Sequence, residues 1–453
     1  MMLLEFRSRR GWMLAMLACG AIWGGARPAL AQGVCPEWSS DPAQATANIQ
    51  ACIDDPNFSE VCISNVGAPW VVRAIYLRNT LPNQQTKFIR FEAGVLMRSD
   101  PNWPPDPNDP DSFGKICLIT AKNDPNSNSI CTNIVLEGDS ADPARIEMNF
   151  YADPNNPNDF HRHALLLGGA RNITVQNLQF KSTCGDGIFV GSWRDPCEQI
   201  TIRNCTTYEC RRDGLSVTDA NGLVVEDCVF KDGVAQNDSR GHGVLLEPNY
   251  PSQELSNIVI RRCKAINNDG LGFKVALCND PNQQMEAIEV LFWDCQARGN
   301  GDKAFGVDGA LDPNDTPDGV VTFSHCRAEN SDGRGAYIWL PTRNSLRVVF
   351  DHCVFSNVAN SAYPPNNPLV VFTSDSYQSP GSGVDFYECE VRDDQPRQFM
   401  YVETAGDSDS GIALDIWGTM TVYNQYEEAI VPPWLIPNLS VSYACPVNAE
   451  PER

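Results

Sequence analysis

The 453-residue sequence predicts an all-β chain wound into a right-handed parallel β-helix of about ten turns, with a short N-terminal capping helix. Three observations lead there: a recurring segment with period-two apolar alternation, a cysteine at one shared place in seven copies, and no helical periodicity between copies. The copies include "RNITVQNLQF", "EQITIRNCTT", "NGLVVEDCVF", "SNIVIRRCKA", "GVVTFSHCRA" and "LRVVFDHCVF". Alternation of this kind buries one face of a strand. Most copies lead to a glycine and a second short strand, as in "GDGIFV", "RDGLSV", "GHGVLL" and "GLGFKV". The shared cysteines are Cys205, Cys228, Cys263, Cys295, Cys326, Cys353 and Cys389, at spacings of 23, 35, 32, 31, 27 and 36 residues. That is a solenoid period with insertions. Strands stacked on their own copies run parallel, and without amphipathic helices neither a barrel nor a doubly wound sheet can form.

The elements follow in order. Residues 1–31 read as a signal peptide: Arg7, Arg9 and Arg10, an apolar run from Gly11 to Ile22, then Ala29-Leu30-Ala31 as a cleavage site. Secretion or a periplasmic location is therefore expected. Ser8 to Leu14 also loosely resembles a twin-arginine export signal. Residues 32–85 are assigned to an N-terminal cap, in which Asp41 is the N-cap and Pro42 the first helical residue. Residues 86–424 are assigned to the stack, starting at "KFIRFEAGVLMRSD", and 425–453 to a C-terminal cap. The seven shared cysteines are expected inside, stacked as small apolar groups. The other ten beyond the signal (35, 52, 62, 117, 131, 184, 197, 210, 278 and 445) are expected in loops and caps, as disulfide candidates. "LDPNDTPDG" has the acidity of a calcium loop without the EF-hand glycine spacing. Calcium is thus the one cofactor considered, and none is required.

The net charge is −23. Without residues 1–31, four arginines and Glu5 are lost, leaving 30 basic against 56 acidic residues. Nucleic acid as a partner is excluded by that balance. No apolar run outside the leader reaches the ~20 residues of a spanning helix, so no membrane partner is expected either. A monomer acting on a polysaccharide is the expectation.

The residue before each turn-starting glycine forms a column: Asp186, Asp213, His242, Asp269, Asp302 and Asp332. Asp219, Glu247, Lys274 and Asp308 lie just downstream. The column is expected to face outward, with Gly241 and Gly243 leaving the His242 ring open to a groove. His325 and His352, each beside a shared cysteine, read as packing or turn residues.

The order Asp-Gly, Asp-Gly, Gly-His-Gly, Phe-Lys-Val over residues 170–280 resembles the polygalacturonase family of glycoside hydrolases, within the secreted pectate-lyase-like superfamily of β-helices. That family carries Asn-Thr-Asp-Gly, Asp-Asp, Gly-His-Gly and Arg-Ile-Lys in the same order. Asp186, Asp213, His242 and Lys274 match; Arg212 replaces the first Asp of the pair, and Phe273 replaces Ile with no Arg before it. Gly243 to Pro248 is also similar to a "GxxxEP" signature of bacterial secreted β-helix proteins. The resemblance implies hydrolysis of a glycan by paired carboxylates. Asp186, Asp213, His242 and Glu247 are the catalytic candidates, with Arg212, Lys274, Asp308 and Trp339 as substrate-binding candidates. Two other readings stay open: a lyase or epimerase acting on uronates with Lys274, Lys303, Arg334 or Arg343 as base, and a non-catalytic glycan-binding or surface protein.

Overall fold

A computed structural model of the chain describes residues 33–102, 117–122, 131–149, 162–192, 195–235, 241–250, 252–277, 288–308, 319–340, 346–359, 367–374, 383–405, 416–424, 426, 431 and 436–444. Among the described residues the strands form two parallel sheets, of 23 and 11 strands, and paired strands run parallel from one turn to the next. The chain is a right-handed parallel β-helix. One turn shows the plan. Leu215–Val217 belongs to the smaller sheet, Ala220–Glu226 and Val229–Lys231 to the larger, and Val244–Leu246 then stacks on Leu215–Val217.

Period-two burial follows the alternation read from sequence: Lys87–Phe91 and Leu346–Asp351 bury every second residue. The interior is stacked by type. Phe292, Phe323, Phe350 and Phe386 overlap with ring centroids 4.7, 4.9 and 5.3 Å apart. The seven shared cysteines are all buried, and a backbone bond from the residue after each to the carbonyl of the previous cysteine sets them on successive turns. Just before each stands a left-handed residue: Asn204, Asp227, Arg262, Asp294, His325, His352 and Glu388, with φ between 50 and 56°. That conformation turns the chain sharply and suits Asn and Asp best. His325 and His352 are such corner residues, their rings stacked at 5.0 Å. Native protein should therefore protect the seven thiols from alkylating reagents until it unfolds, and Cys228→Ser should cost ~1–3 kcal/mol in chemical denaturation, by burying a hydroxyl in a thiol's place.

Three expectations are corrected. The stack starts before residue 86: Glu60–Ile63, Trp70–Val72 and Ile75–Tyr76 already pair with the turns above. At the other end Leu439–Ala444 continues the larger sheet inside the segment assigned to the cap. Thirdly, Cys117, Cys131, Cys184, Cys197 and Cys210 are buried in the stack, whereas loops and caps were expected. Cys197 Sγ donates to the Leu167 carbonyl at 3.2 Å, and burial pushes its thiol up to about 12. Cys278, Cys445, residues 1–32 and the acidic segment 311–318 lie outside the described residues.

The capping helix spans Pro42–Asp54, with Asp41 accepting from the Gln44 N–H at 2.9 Å and Ala45, Ile49 and Ile53 turned to the first turn. Its last turn is closed by a buried lysine. Lys87 Nζ donates to the carbonyls of Ile53 and Asp55. A cation at a helix C-terminus meets carbonyls that the helix itself leaves unpaired.

Candidate functional site

The corner column is present, but its first three members are buried, whereas Asp269 and Asp332 are exposed and Asp302 half-buried. Asp186 and Asp213 have no exposed surface, and His242 retains 5%. Each side chain holds the backbone of the next turn: Asp186 Oδ1 accepts the Asp213 N–H (3.0 Å), Asp213 Oδ1 the His242 N–H (3.2 Å), and His242 Nδ1 the Leu271 N–H (2.9 Å). The open ring expected at His242 is thus corrected. Its flanking glycines have other causes. A Cβ on Gly243 would stand 2.6 Å from the Gly272 carbonyl oxygen, and Gly241 has a φ of +92° that side chains disfavour. Replacing His242 by Ala should lower stability by ~1–3 kcal/mol in a denaturant titration, because a buried N–H loses its acceptor.

Charge is concentrated behind this column. His163 Nδ1 lies 3.0 Å from Asp186 Oδ2, and Arg212 Nε 3.7 Å from Asp186 Oδ1. Burial alone would raise the Asp186 carboxyl; the Arg212 guanidinium and the contact with His163 outweigh it and hold the group well below the usual carboxylate range. Arg212 is itself buried, at 7% exposure. Nearby, burial lifts Asp219 to about 6, against the hydrogen bond it accepts from the Glu254 N–H.

Four other candidates stand on the outer face of the smaller sheet. There Ser216, Leu245, Lys274, Gly306, Tyr337, Val370 and Tyr401 follow one another in register from strand to strand. Two residues further along, the same face carries Ala276, Asp308, Trp339, Phe372 and Glu403. Glu247 follows Leu246, the partner of Val275, so it stands level with Ala276. Ser216 and Leu245 are covered, whereas Glu247, Lys274, Asp308, Tyr337 and Trp339 are half-buried. Lys274 Nζ is 2.8 Å from Asp308 Oδ2. The methyl of Ala276 leaves a gap between Glu247 and Asp308, which are two strand spacings apart, about 10 Å along the sheet.

Towards the C-terminal end the face turns aromatic. Lys303 Nζ sits 4.1 Å and the Arg334 guanidinium carbon 5.3 Å from the Tyr337 ring centroid. Tyr337 meets Phe372 at 5.6 Å, Phe372 meets Tyr401 at 6.0 Å, and the Tyr401 hydroxyl donates to Glu403 Oε2 at 3.0 Å. Half-buried aromatic faces beside charged groups present flat apolar area with polar rims. Phe372, Tyr401 and Glu403 escaped the sequence reading. The alternation in "LVVFTS" and "MYVETA" marks them as outward, but only the strand register sets them beside Trp339. Arg343 lies outside the described residues. Among the described residues no three His, Cys, Asp or Glu side chains converge as metal ligands, and no helix is long and apolar enough to cross a membrane.

Residues 133–310 match the family model described as a right handed beta helix region. Two curated proteins of Bacillus subtilis (strain 168) are similar. The SPbeta prophage-derived uncharacterized protein YorA is 27% identical over 88 residues, covering 17% of this chain and 15% of that protein. The uncharacterized protein YclG is 27% identical over 120 residues, covering 23% and 20%. The chain thus spans a fifth or less of these relatives. Among solved structures, a mutant tailspike protein of E. coli bacteriophage HK620 in complex with a pentasaccharide gives a TM-score of 0.53 at 13% identity, over 84% of this chain and 63% of that one. A polygalacturonase from Erwinia carotovora ssp. carotovora gives 0.47 at 13% identity, over 93% and 99%. At 13% identity the likeness to the tailspike is one of fold.

Proposed function

We propose that this protein is a carbohydrate-active enzyme, a polysaccharide hydrolase working on the outer face of the smaller sheet. The observation that carries the reading is the Lys274–Asp308 ion pair facing Glu247 across Ala276, with aromatic rings continuing along the same face. Inverting glycoside hydrolysis needs two carboxyls ~6.5–9.5 Å apart, with room for water between them. Side chains leaning together from strands about 10 Å apart can reach that separation. In this reading Asp308, oriented by the Lys274 ammonium, takes the proton from water, and Glu247 protonates the departing glycosidic oxygen. Trp339, in register beside Asp308, offers a ring to a sugar face. Asp186, Asp213, His242 and Arg212 have a positioning role here: they hold the corners from which these strands start.

The scaffold's capacity for such a ligand is supported by the tailspike of the same fold, which is in complex with a pentasaccharide. A uronate-cleaving lyase is the second reading. It is favoured by Lys303 and Arg334 flanking Tyr337, one strand from Asp308 and two from Lys274, cations that suit a carboxylated sugar.

A panel of neutral and acidic polysaccharides, read at once for new reducing ends and for ultraviolet absorbance of unsaturated sugars, tests the proposal. Reducing ends without absorbance support hydrolysis. Both signals together mean lyase chemistry. Neither signal, with retention on an immobilised glycan, leaves a binding protein and overturns the enzyme reading.

A further inference from the structure

The N-terminal edge of the stack carries three thiols that the glycan site does not use. Val34 forms a single parallel bridge to Val61, with Val34 N–H bonded to the Glu60 carbonyl (3.1 Å) and Cys62 N–H to the Val34 carbonyl (2.9 Å). Both chains run the same way, so the next register pair on one face is Cys35 and Cys62. Neighbouring strands are ~4.8 Å apart, inside the ~4.4–6.8 Å Cα separation that disulfides span. The Cys62 thiol interacts with that of Cys35 and points to Glu92 Oε1 at 3.8 Å. Cys52, on the capping helix, is the third thiol.

We propose that Cys35 and Cys62 are a disulfide site, oxidised by exchange with a small-molecule or protein disulfide. Its place explains its use. Glu60–Ile63 is the first strand of the larger sheet, and among the described residues one bridge, at Val34, covers its outer edge. An uncovered edge frays and invites pairing with other chains. A bond at the next residue fixes the cover where one bridge alone holds it loosely.

The exchange runs in two steps. The exposed Cys35 thiolate attacks one sulfur of the oxidant, forming a mixed disulfide and releasing one thiolate. The Cys62 thiolate then attacks the Cys35 sulfur and displaces the second half of the oxidant. Two protein thiols are oxidised, one disulfide is reduced, and both protons pass to the released thiols. Burial, Cys35 and Glu92 push the Cys62 thiol up to about 12, so the second step should quicken as pH rises.

The test uses the full chain, equilibrated with reduced and oxidised glutathione, alkylated, and cut by a glutamate-specific protease. Cleavage after Glu37 and Glu60 places Cys35, Cys52 and Cys62 on separate peptides. One linked pair carrying Cys35 and Cys62, present also in Cys52→Ser, is expected, with a melting temperature several degrees above that of reduced protein. Cys62→Ser should melt alike with and without oxidant. Alkylation of both Cys35 and Cys62 after oxidation, or a Cys35–Cys52 link, overturns the assignment. So does a link that forms only after the protein is unfolded.

Discussion

Glu247→Gln and Asp308→Asn are each expected to slow release of reducing ends from the cleaved polysaccharide by ~10²–10⁴-fold, the usual share of a positioned acid or base. Both substitutions keep side-chain shape at half-buried surface positions, so melting temperature should stay within about a degree or two of the parent. The two losses differ in kind. Without the Asp308 carboxylate, water is not activated for any substrate. Without Glu247, a substrate whose leaving group needs no proton, such as an activated aryl glycoside, should recover much of its rate. Full activity in either variant would remove the pair from the mechanism and move attention to Lys303, Arg334 and Tyr337.

Asp186→Asn should produce the largest stability loss, ~3–5 kcal/mol in denaturant titrations, because the amide leaves Arg212 and His163 buried without the carboxylate they face. The pH dependence has a definite sign. The folded pKa of Asp186 is depressed, so its contribution is complete above the unfolded value, near ~3.9, and fades as pH falls from there through the lower folded value. The stability gap between parent and variant should therefore be wide at neutral pH and narrow in acid. A gap of under about half a kcal/mol at neutral pH would show that the column contributes nothing essential to the corners.

What these two predictions have in common is that one sequence pattern led to both sites and misjudged one of them. Asp-Gly and Gly-His-Gly stood out by repetition, and repetition in a solenoid marks equal position in the turn. Equal position does not say whether a side chain meets solvent or the backbone of the next turn. At Asp186, Asp213 and His242 the neighbouring N–H lies within reach, and the side chain satisfies it. Glu247, Lys274, Asp308 and Trp339 fall inside or just past the short strands, where period two decides the face, and they stand on the outer face as alternation implied.

The sequence by itself determined the winding of the chain. Period-two strands and a polar residue able to adopt a left-handed φ recur from copy to copy, with a small inward cysteine in seven of them, and parallel stacking is the arrangement that buries every copy alike. Local chemistry was also enough for the capping helix at Asp41 and Pro42. Only the tertiary structure decided which residues of different turns become neighbours. Insertions make the spacing irregular, so lateral register is set by backbone pairing and cannot be counted along the chain. That register joins Lys274 to Asp308 across 34 residues, and it lines up Tyr337 with Tyr401 and Trp339 with Phe372 from strands far apart in sequence. It also set the ends of the stack, because a short strand such as Glu60–Ile63 holds its shape only when the next turn supplies its hydrogen bonds.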